Sequence, residues 1–401
     1  MRGPESGRRR ARPEAVEPRE AAGSQPLRSV YAHAPFCVRR CFYCDFAVQV
    51  RRDPDPGEWL TALAGELSAL HGEGLFVLEG ALETLYVGGG TPSLLGPGAM
   101  AALAEALRPY ATVEEGTEWT AEANPESLTP EIAGAWRCAG VNRLSLGIQS
   151  LHEPTLRWMG RLHGAAGARE AVRVARHAGY ANLSVDLIFG LPGHLGRDWR
   201  ADLEAVLSLD VPHVSLYGLS VEEATPLGLA VAGGHERVAD EARYADEYLT
   251  AAEALAAEGY RHYEVSNFAR EGFTSRHNAV YWSGLPYLGL GNSSHSYLHP
   301  LRRWNLRDWG AYSRVARRGD VPEEGHETLD REAVRMERIW LGLRTDSGLP
   351  SDLLDAGARD VAARWRARGW ARPDEERLCL TPEGWLVLDR LAVELEAALG
   401  A

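Results

Sequence analysis

The chain of 401 residues contains no lysine; all 43 of its basic residues are arginine. That excludes a Schiff-base lysine and a phosphate-loop lysine. Alanine, glycine and arginine are all abundant, so coding bias accounts for the absence better than function does. Cysteine is scarce, five in all, too few for the disulfide framework of a secreted domain. No apolar run approaches the roughly 20 residues that cross a bilayer, and no apolar segment follows the N-terminus as a signal peptide requires. The expectation is a cytoplasmic protein with no membrane anchor of its own. Positive charge is also in deficit: the net charge of −13 argues against nucleic acid as a partner.

What is present is ordinary for a soluble globular protein, with 45% hydrophobic and 25% charged residues. The length fits one large domain plus an accessory one. Residues 1–28 carry seven Arg against four Glu, with Pro and Gly and little to bury; they read as a disordered tail. From Ser29 strands and helices alternate. Strands are expected at 29–33, 83–87, 118–123, 143–148, 182–189 and 213–218. Helices are expected at 58–71, 98–110, 164–178, 197–209 and 239–258, with another starting at Thr129-Pro130-Glu131, an N-cap followed by proline. Such alternation gives a parallel sheet with right-handed crossovers, and counting alone leaves open whether it closes into a barrel. The polar and glycine-rich segments PFC, GGGTP, NPES, QS and GLPG each follow a strand. In α/β folds chemistry gathers at the strand C-termini, so these loops predict one shared site.

After about residue 270 the pattern turns aromatic-rich and irregular. Helix returns at 330–343. The ending LCLTPEGWLVLDRLAVELEAAL reads as strand, turn and helix, with Thr381 and Pro382 at the helix start and Leu388, Leu391, Leu395 and Leu399 on one face. Residues 271–401 are therefore assigned to a winged-helix-like accessory domain.

Three of the five cysteines, Cys37, Cys41 and Cys44, fall within YAHAPFCVRRCFYCDF, spaced C-x3-C-x2-C. Three thiolates on one loop can ligate three irons of a 4Fe–4S cluster and leave the fourth iron open. The alternative is zinc, with His33 as the fourth ligand, although zinc sites usually add a second distant cysteine pair. Arg39 and Arg40, between the cysteines, favour thiolate. Cys138 and Cys379 stand alone in apolar surroundings and are expected in the core.

This cysteine motif after the first strand, with Tyr43 before its last cysteine, resembles the radical S-adenosylmethionine superfamily. The resemblance implies a partial (β/α)6 barrel over residues 29–270. It implies that the cofactor's amino and carboxylate groups chelate the open iron, and that electron transfer cleaves its sulfonium. Gly88, Gly89 and Gly90 let backbone approach a polar ligand closely. Glu122 can bind ribose hydroxyls or an amine, and Arg161 can reach the cofactor carboxylate with a forked contact. By resemblance the cofactor-contacting positions are Tyr31, Tyr43, Gly89, Gly90, Thr91, Glu122, Gln149, Arg161, Asp186 and Gly218.

The strings YxHxPFC, GGGTP, IQS and DLIFGLPG are similar to the oxygen-independent coproporphyrinogen III oxidase family over about residues 29–401. Its oxidase branch carries a further cysteine two positions after the last ligand, where this chain has Phe46. Its haem chaperone (HemW-type) branch carries HNxxYW, matched here by His277, Asn278, Tyr281 and Trp282. The resemblance implies haem or a porphyrin as cargo and haem-requiring proteins, such as respiratory enzymes, as acceptors. His277 or Tyr281 then becomes the candidate haem ligand, with His262, His295 and His299 as competitors. The alternative reading from the string itself is a loop packed over the barrel mouth, with His277 hydrogen-bonded and Trp282 in core. Two other functions stay open: oxidative decarboxylation of coproporphyrinogen III, and a zinc-stabilised nucleic-acid binder. Homodimerisation is left undecided.

Overall fold

The computed structural model describes residues 26–399. Most of the expected tail therefore lies outside the described residues, although Leu27 is already buried and bridges Leu78. Six strands run parallel in sequence order: β1 (Ser29–Ala34), β2 (Thr84–Gly89), β3 (Glu118–Ala123), β4 (Arg143–Gln149), β5 (Asn182–Phe189) and β6 (His213–Gly218). The connecting helices are α1 (Pro56–Glu73), α2 (Ala99–Leu107), α3 (Pro130–Ala139), α4 (Glu153–Met159), α5 (Gly164–His177) and α6 (Trp199–Leu207). Then come α7 (Pro226–Ala232) and α8 (Glu241–Ala257). Thr129 caps α3 as expected, its hydroxyl accepting from the Ile132 amide at 3.2 Å.

The sheet continues past both ends of this barrel. Strands β7 (Arg261–Glu264) and β8 (Asn267–Ala269) add antiparallel beyond β6. Strand β9 (Leu288–Leu290) returns parallel beside β1, and the nine strands form an open sheet. The stretch after residue 270 thus begins as part of the barrel. Helix α9 (Arg276–Trp282) packs against it, and α10 (Trp309–Ala316) contributes Trp309 and Tyr312 to the main core. A three-stranded sheet, β10 (His295–Leu298), β11 (Leu301–Asn305) and β12 (Glu323–Thr328), lies beside them. A second core starts only at Ile339 and joins α11 (Arg331–Leu343), α12 (Ala356–Ala367), α13 (Pro382–Trp385) and α14 (Leu388–Ala398). The division between cores thus falls near residue 330, not 270.

The strands alternate with period two. Residues such as Val30, Leu85, Trp119, Leu144, Val185 and Val214 are buried in the main core with the helices. The alternate positions line the barrel interior and are polar, in three layers. Thr84, Glu118, Arg143 and His213 form the lower layer, at the strand N-termini. Tyr86, Thr120, Ser145, Ser184 and Ser215 form the middle one. Glu122, Gln149, Asp186 and Tyr217 form the upper one. Buried polar groups require partners, and many of these find one another, as in Ser184 Oγ to His213 Nδ1 at 2.7 Å and Ser145 Oγ to Asp186 Oδ1 at 3.1 Å.

Cys379 is buried, but Cys138 is exposed, contrary to expectation. On α3 the buried face is Ile132, Ala133 and Trp136. Cys138 follows Trp136 by two positions, which carries it to the far side of the helix.

Candidate functional site

The strand C-termini surround a cavity of about 490 Å³. It brings together Cys37, Cys41, Cys44, Tyr43, Gly89, Gly90, Thr91, Glu122, Gln149, Arg161, Asp186 and Gly218. Tyr31 stands apart. It lines a neighbouring cavity of about 370 Å³ and bonds His33 Nδ1 at 3.0 Å.

The cysteine loop is fastened from two sides. Phe42 and Tyr43 pack in a satellite core with Trp158, Met159, Ile188, Leu191 and Leu227. The Phe42 amide donates to the Met159 carbonyl at 3.3 Å, and the Leu227 amide donates to the Phe42 carbonyl at 3.0 Å. On the other side the Arg51 amide donates to the Cys37 carbonyl at 2.9 Å, and Arg307 donates to the Asp45 carbonyl at 2.6 Å. Burial pushes the Cys37 thiol up to about 11, so thiolate at this position needs a cation to stabilise it.

The donor set suits a cluster better than a single ion. Among the described residues no three His, Cys, Asp or Glu converge tightly enough to hold one metal ion. A 4Fe–4S cluster instead places each thiolate on a separate iron. His33 is no fourth ligand here: Nδ1 engages Tyr31, and Nε2 bonds the Ala47 carbonyl at 3.2 Å. Cys37, Cys41 and Cys44 would hold the cluster, and with S-adenosylmethionine it would supply one-electron chemistry at the cavity floor.

The polar wall fits a zwitterionic cofactor. Arg161 donates to Asn124 Oδ1 at 2.7 Å and to the Gly147 carbonyl, and its Nη1 lies 3.8 Å from Cys41 Sγ. Among the described residues its buried Nε has no partner, a spare donor on a side chain that lines the cavity. Glu122 accepts from Tyr86 at 2.8 Å and from the Gly89 amide at 3.0 Å. Burial, then the charge of Asp186, pushes Glu122 up to about 7; burial likewise raises Asp186 to about 6. A cationic ligand would restore both to carboxylate. Gln149 holds φ at +65° at a bulge in the β4–β5 pairing. Such strained backbone at a strand end re-aims a side chain, and Gln149 lines the cavity.

The glycines have a different reason from the expected one. A Cβ at Gly89 would strike the His33 ring, and one at Gly90 would lie 2.7 Å from the Phe36 carbonyl oxygen. At Gly218 it would strike the Tyr244 hydroxyl. Neighbouring protein, before any ligand, demands these glycines.

A buried ion network supports two of the cavity's loops. Arg197 donates to Glu247 at 2.7 Å and to the Ile188 carbonyl at 2.8 Å, and lies 3.7 Å from Asp202. Glu247 accepts from the Gly190 amide at 2.8 Å. Asp202 accepts from the Ser150 hydroxyl at 2.6 Å and the Leu151 amide at 2.7 Å. The ends of β4 and β5 are thereby tied together from below. No feature of the sequence reading singled out these residues.

Of the HNxxYW segment, Tyr281 lines the smaller cavity beside the cofactor site, but His277 does not reach the mouth. His277 is 1% exposed on α9, at the opposite end of the barrel. Its Nδ1 bonds Thr84 Oγ1 at 2.7 Å, its Nε2 bonds the Tyr281 hydroxyl at 2.9 Å, and its amide donates to Glu118 at 3.0 Å. With both ring nitrogens engaged and its ring stacked on Tyr86, His277 plugs the lower layer. The hydrogen-bonded alternative describes it, at the barrel's other end. His262 is half-buried, stacked on Phe268.

The Arg161→Ala protein is expected to bind S-adenosylmethionine more weakly by about 1.5–3 kcal/mol, the worth of a hydrogen bond to a charged group. Calorimetry on cluster-reconstituted protein measures this, and an unchanged affinity rejects the contact.

A family model of the radical SAM superfamily matches residues 31–206. Over 368 residues the chain is 36% identical to the heme chaperone HemW of Mycobacterium tuberculosis, covering 91% of this chain and 93% of that protein. It is 33% identical to the mitochondrial radical S-adenosyl methionine domain-containing protein 1 of Bos taurus, covering 98% of this chain and 92% of that one. The solved coproporphyrinogen III oxidase HemN of Escherichia coli superimposes with a TM-score of 0.76 over 93% of this chain and 90% of that one, at 21% identity, a likeness of fold. With its three cysteines on the loop after β1 and its six-stranded parallel barrel, the chain belongs to the radical SAM superfamily and, within it, to the HemW-type branch of the coproporphyrinogen III oxidase-like family.

Proposed function

We propose that this chain is a cytoplasmic haem chaperone, which carries a 4Fe–4S cluster and S-adenosylmethionine and hands haem to haem-requiring proteins. The observation that carries this reading is the rim of the cofactor cavity. Phe46 occupies the position of the oxidase branch's extra cysteine and is 62% exposed. Leu162 and Tyr217 beside the same cavity are 51% and 44% exposed. Large exposed apolar side chains grouped around one cavity mark a binding surface, and a flat macrocycle with carboxylate edges suits it. The relatives named heme chaperone HemW support the same reading. His277 would have to leave the barrel to serve as the haem ligand.

Anaerobic turnover tests it. Cluster-reconstituted protein is supplied with coproporphyrinogen III, S-adenosylmethionine and a reductant, and products are separated after oxidation. The expected result is no protoporphyrinogen, with the cluster intact and S-adenosylmethionine bound. Many turnovers per chain would overturn the chaperone reading and establish the oxidase.

A further inference from the structure

The smaller cavity beside the cofactor site has its own chemistry. It holds about 370 Å³ between the cysteine loop, the barrel edge and β10. Phe46, Tyr281 and Tyr287 give it aromatic walls, and Arg307 is the one arginine that lines it. His295 stands at its edge and is exposed. We propose that this cavity is the haem seat and that His295 is the axial ligand to the iron.

The choice follows from elimination among imidazoles. His33 lines the same cavity, but both its ring nitrogens are bonded within the protein. His277 lies a layer lower with both nitrogens engaged. His299 bonds Tyr297 at 3.1 Å and does not line the cavity. The His295 ring has no hydrogen-bond partner among the described residues, and Trp304 stacks against it with centroids 5.9 Å apart and planes at 27°. Partial burial, then the Arg302 cation, lowers its pKa, which favours the neutral form that ligates iron.

The rest of the seat matches the ligand. Phe46 borders both cavities and can stack on the macrocycle. Among the described residues the Arg307 guanidinium bonds Asp45 alone and is half-exposed, so its remaining donors can take a propionate. A single ligand at an exposed edge leaves one haem face open to solvent, which suits a group that must be released.

The inference rests on the haem chaperone reading, and one experiment separates the two. Haem is titrated into the full-length protein, and the ferrous complex is examined by resonance Raman spectroscopy for its iron–histidine vibration. In the His295→Gly protein that band is expected to vanish and haem affinity to fall at least about ten-fold. Added imidazole should restore both. His277→Gln, which keeps a donor and an acceptor in the barrel, should leave the band in place. If His295→Gly retains the wild-type band and affinity, the assignment of His295 is overturned and the chaperone reading stands. If the wild-type protein binds no haem, both are overturned.

Discussion

The Cys41→Ser protein, prepared anaerobically and reconstituted with iron and sulfide, is expected to retain almost no cluster. Serine oxygen is a harder and far more basic donor than thiolate, and soft thiolate ligands select iron–sulfur clusters. Only three cysteines stand on the loop, so losing one leaves two irons without protein ligands. Even changes to groups that only hydrogen-bond a ligand cost metal sites about 10–100-fold in affinity, and a direct ligand loss exceeds that. Iron and sulfide assays, with the visible absorbance of the cluster, read the result. Haem binding is expected to survive, because Asp45 and Ala47 are held by Arg307, His33 and Asn292 with no need of the cluster. Complete haem loss in a folded Cys41→Ser protein would show that the two sites are one.

Arg197→Met should cost about 3–5 kcal/mol of stability, the usual penalty for breaking a buried ion pair. The arginine side chain is 2% exposed, and its partners Glu247 and Asp202 are 7% and 2% exposed. Methionine fills similar space but leaves Asp202 without a cation. Glu247 keeps Arg243, whose Nε lies 2.9 Å away, so the damage concentrates at Asp202 and the loop it holds after Gln149. S-adenosylmethionine affinity should fall along with stability, though no atom of the cavity wall is altered. Denaturant unfolding measures the first effect and calorimetry the second. A loss below about 1 kcal/mol, the worth of an exposed pair, would mean that the network does not hold the strand ends.

The sequence made the six barrel strands legible because each is a run of β-formers between turn signals, and five of their ranges match the structure within a residue at both ends. It also made the cofactor wall legible, since polar and glycine-rich segments directly after strands can converge only at one end of a parallel sheet. The interior was equally available but unread: in TLYV, EWTAEA, RLS and NLSVD every second residue is polar or aromatic. Strand β9 was not available. Its three residues carry no period, and its place beside β1 depends on an edge that exists only once the barrel has formed. The destination of His277 was hidden for the same reason. A motif on a seven-residue helix does not say which end of a barrel the helix will close. Cys138 is the opposite case, because helical spacing from Trp136 already placed it outside.

The doubly fastened cysteine loop bears on the order of events during maturation. Its aromatic residues are packed, and its backbone is bonded to β4's following helix, to α7 and to the stretch after Cys44, by contacts that involve no metal. In zinc fingers the ion must organise the chain, and its binding energy is folding energy. Here the receptacle is shaped in advance, so most of the entropy of ordering the loop is spent during folding of the barrel. The empty chain can therefore wait, folded, for a cluster delivered late, and losing that cluster to oxygen need not unfold it.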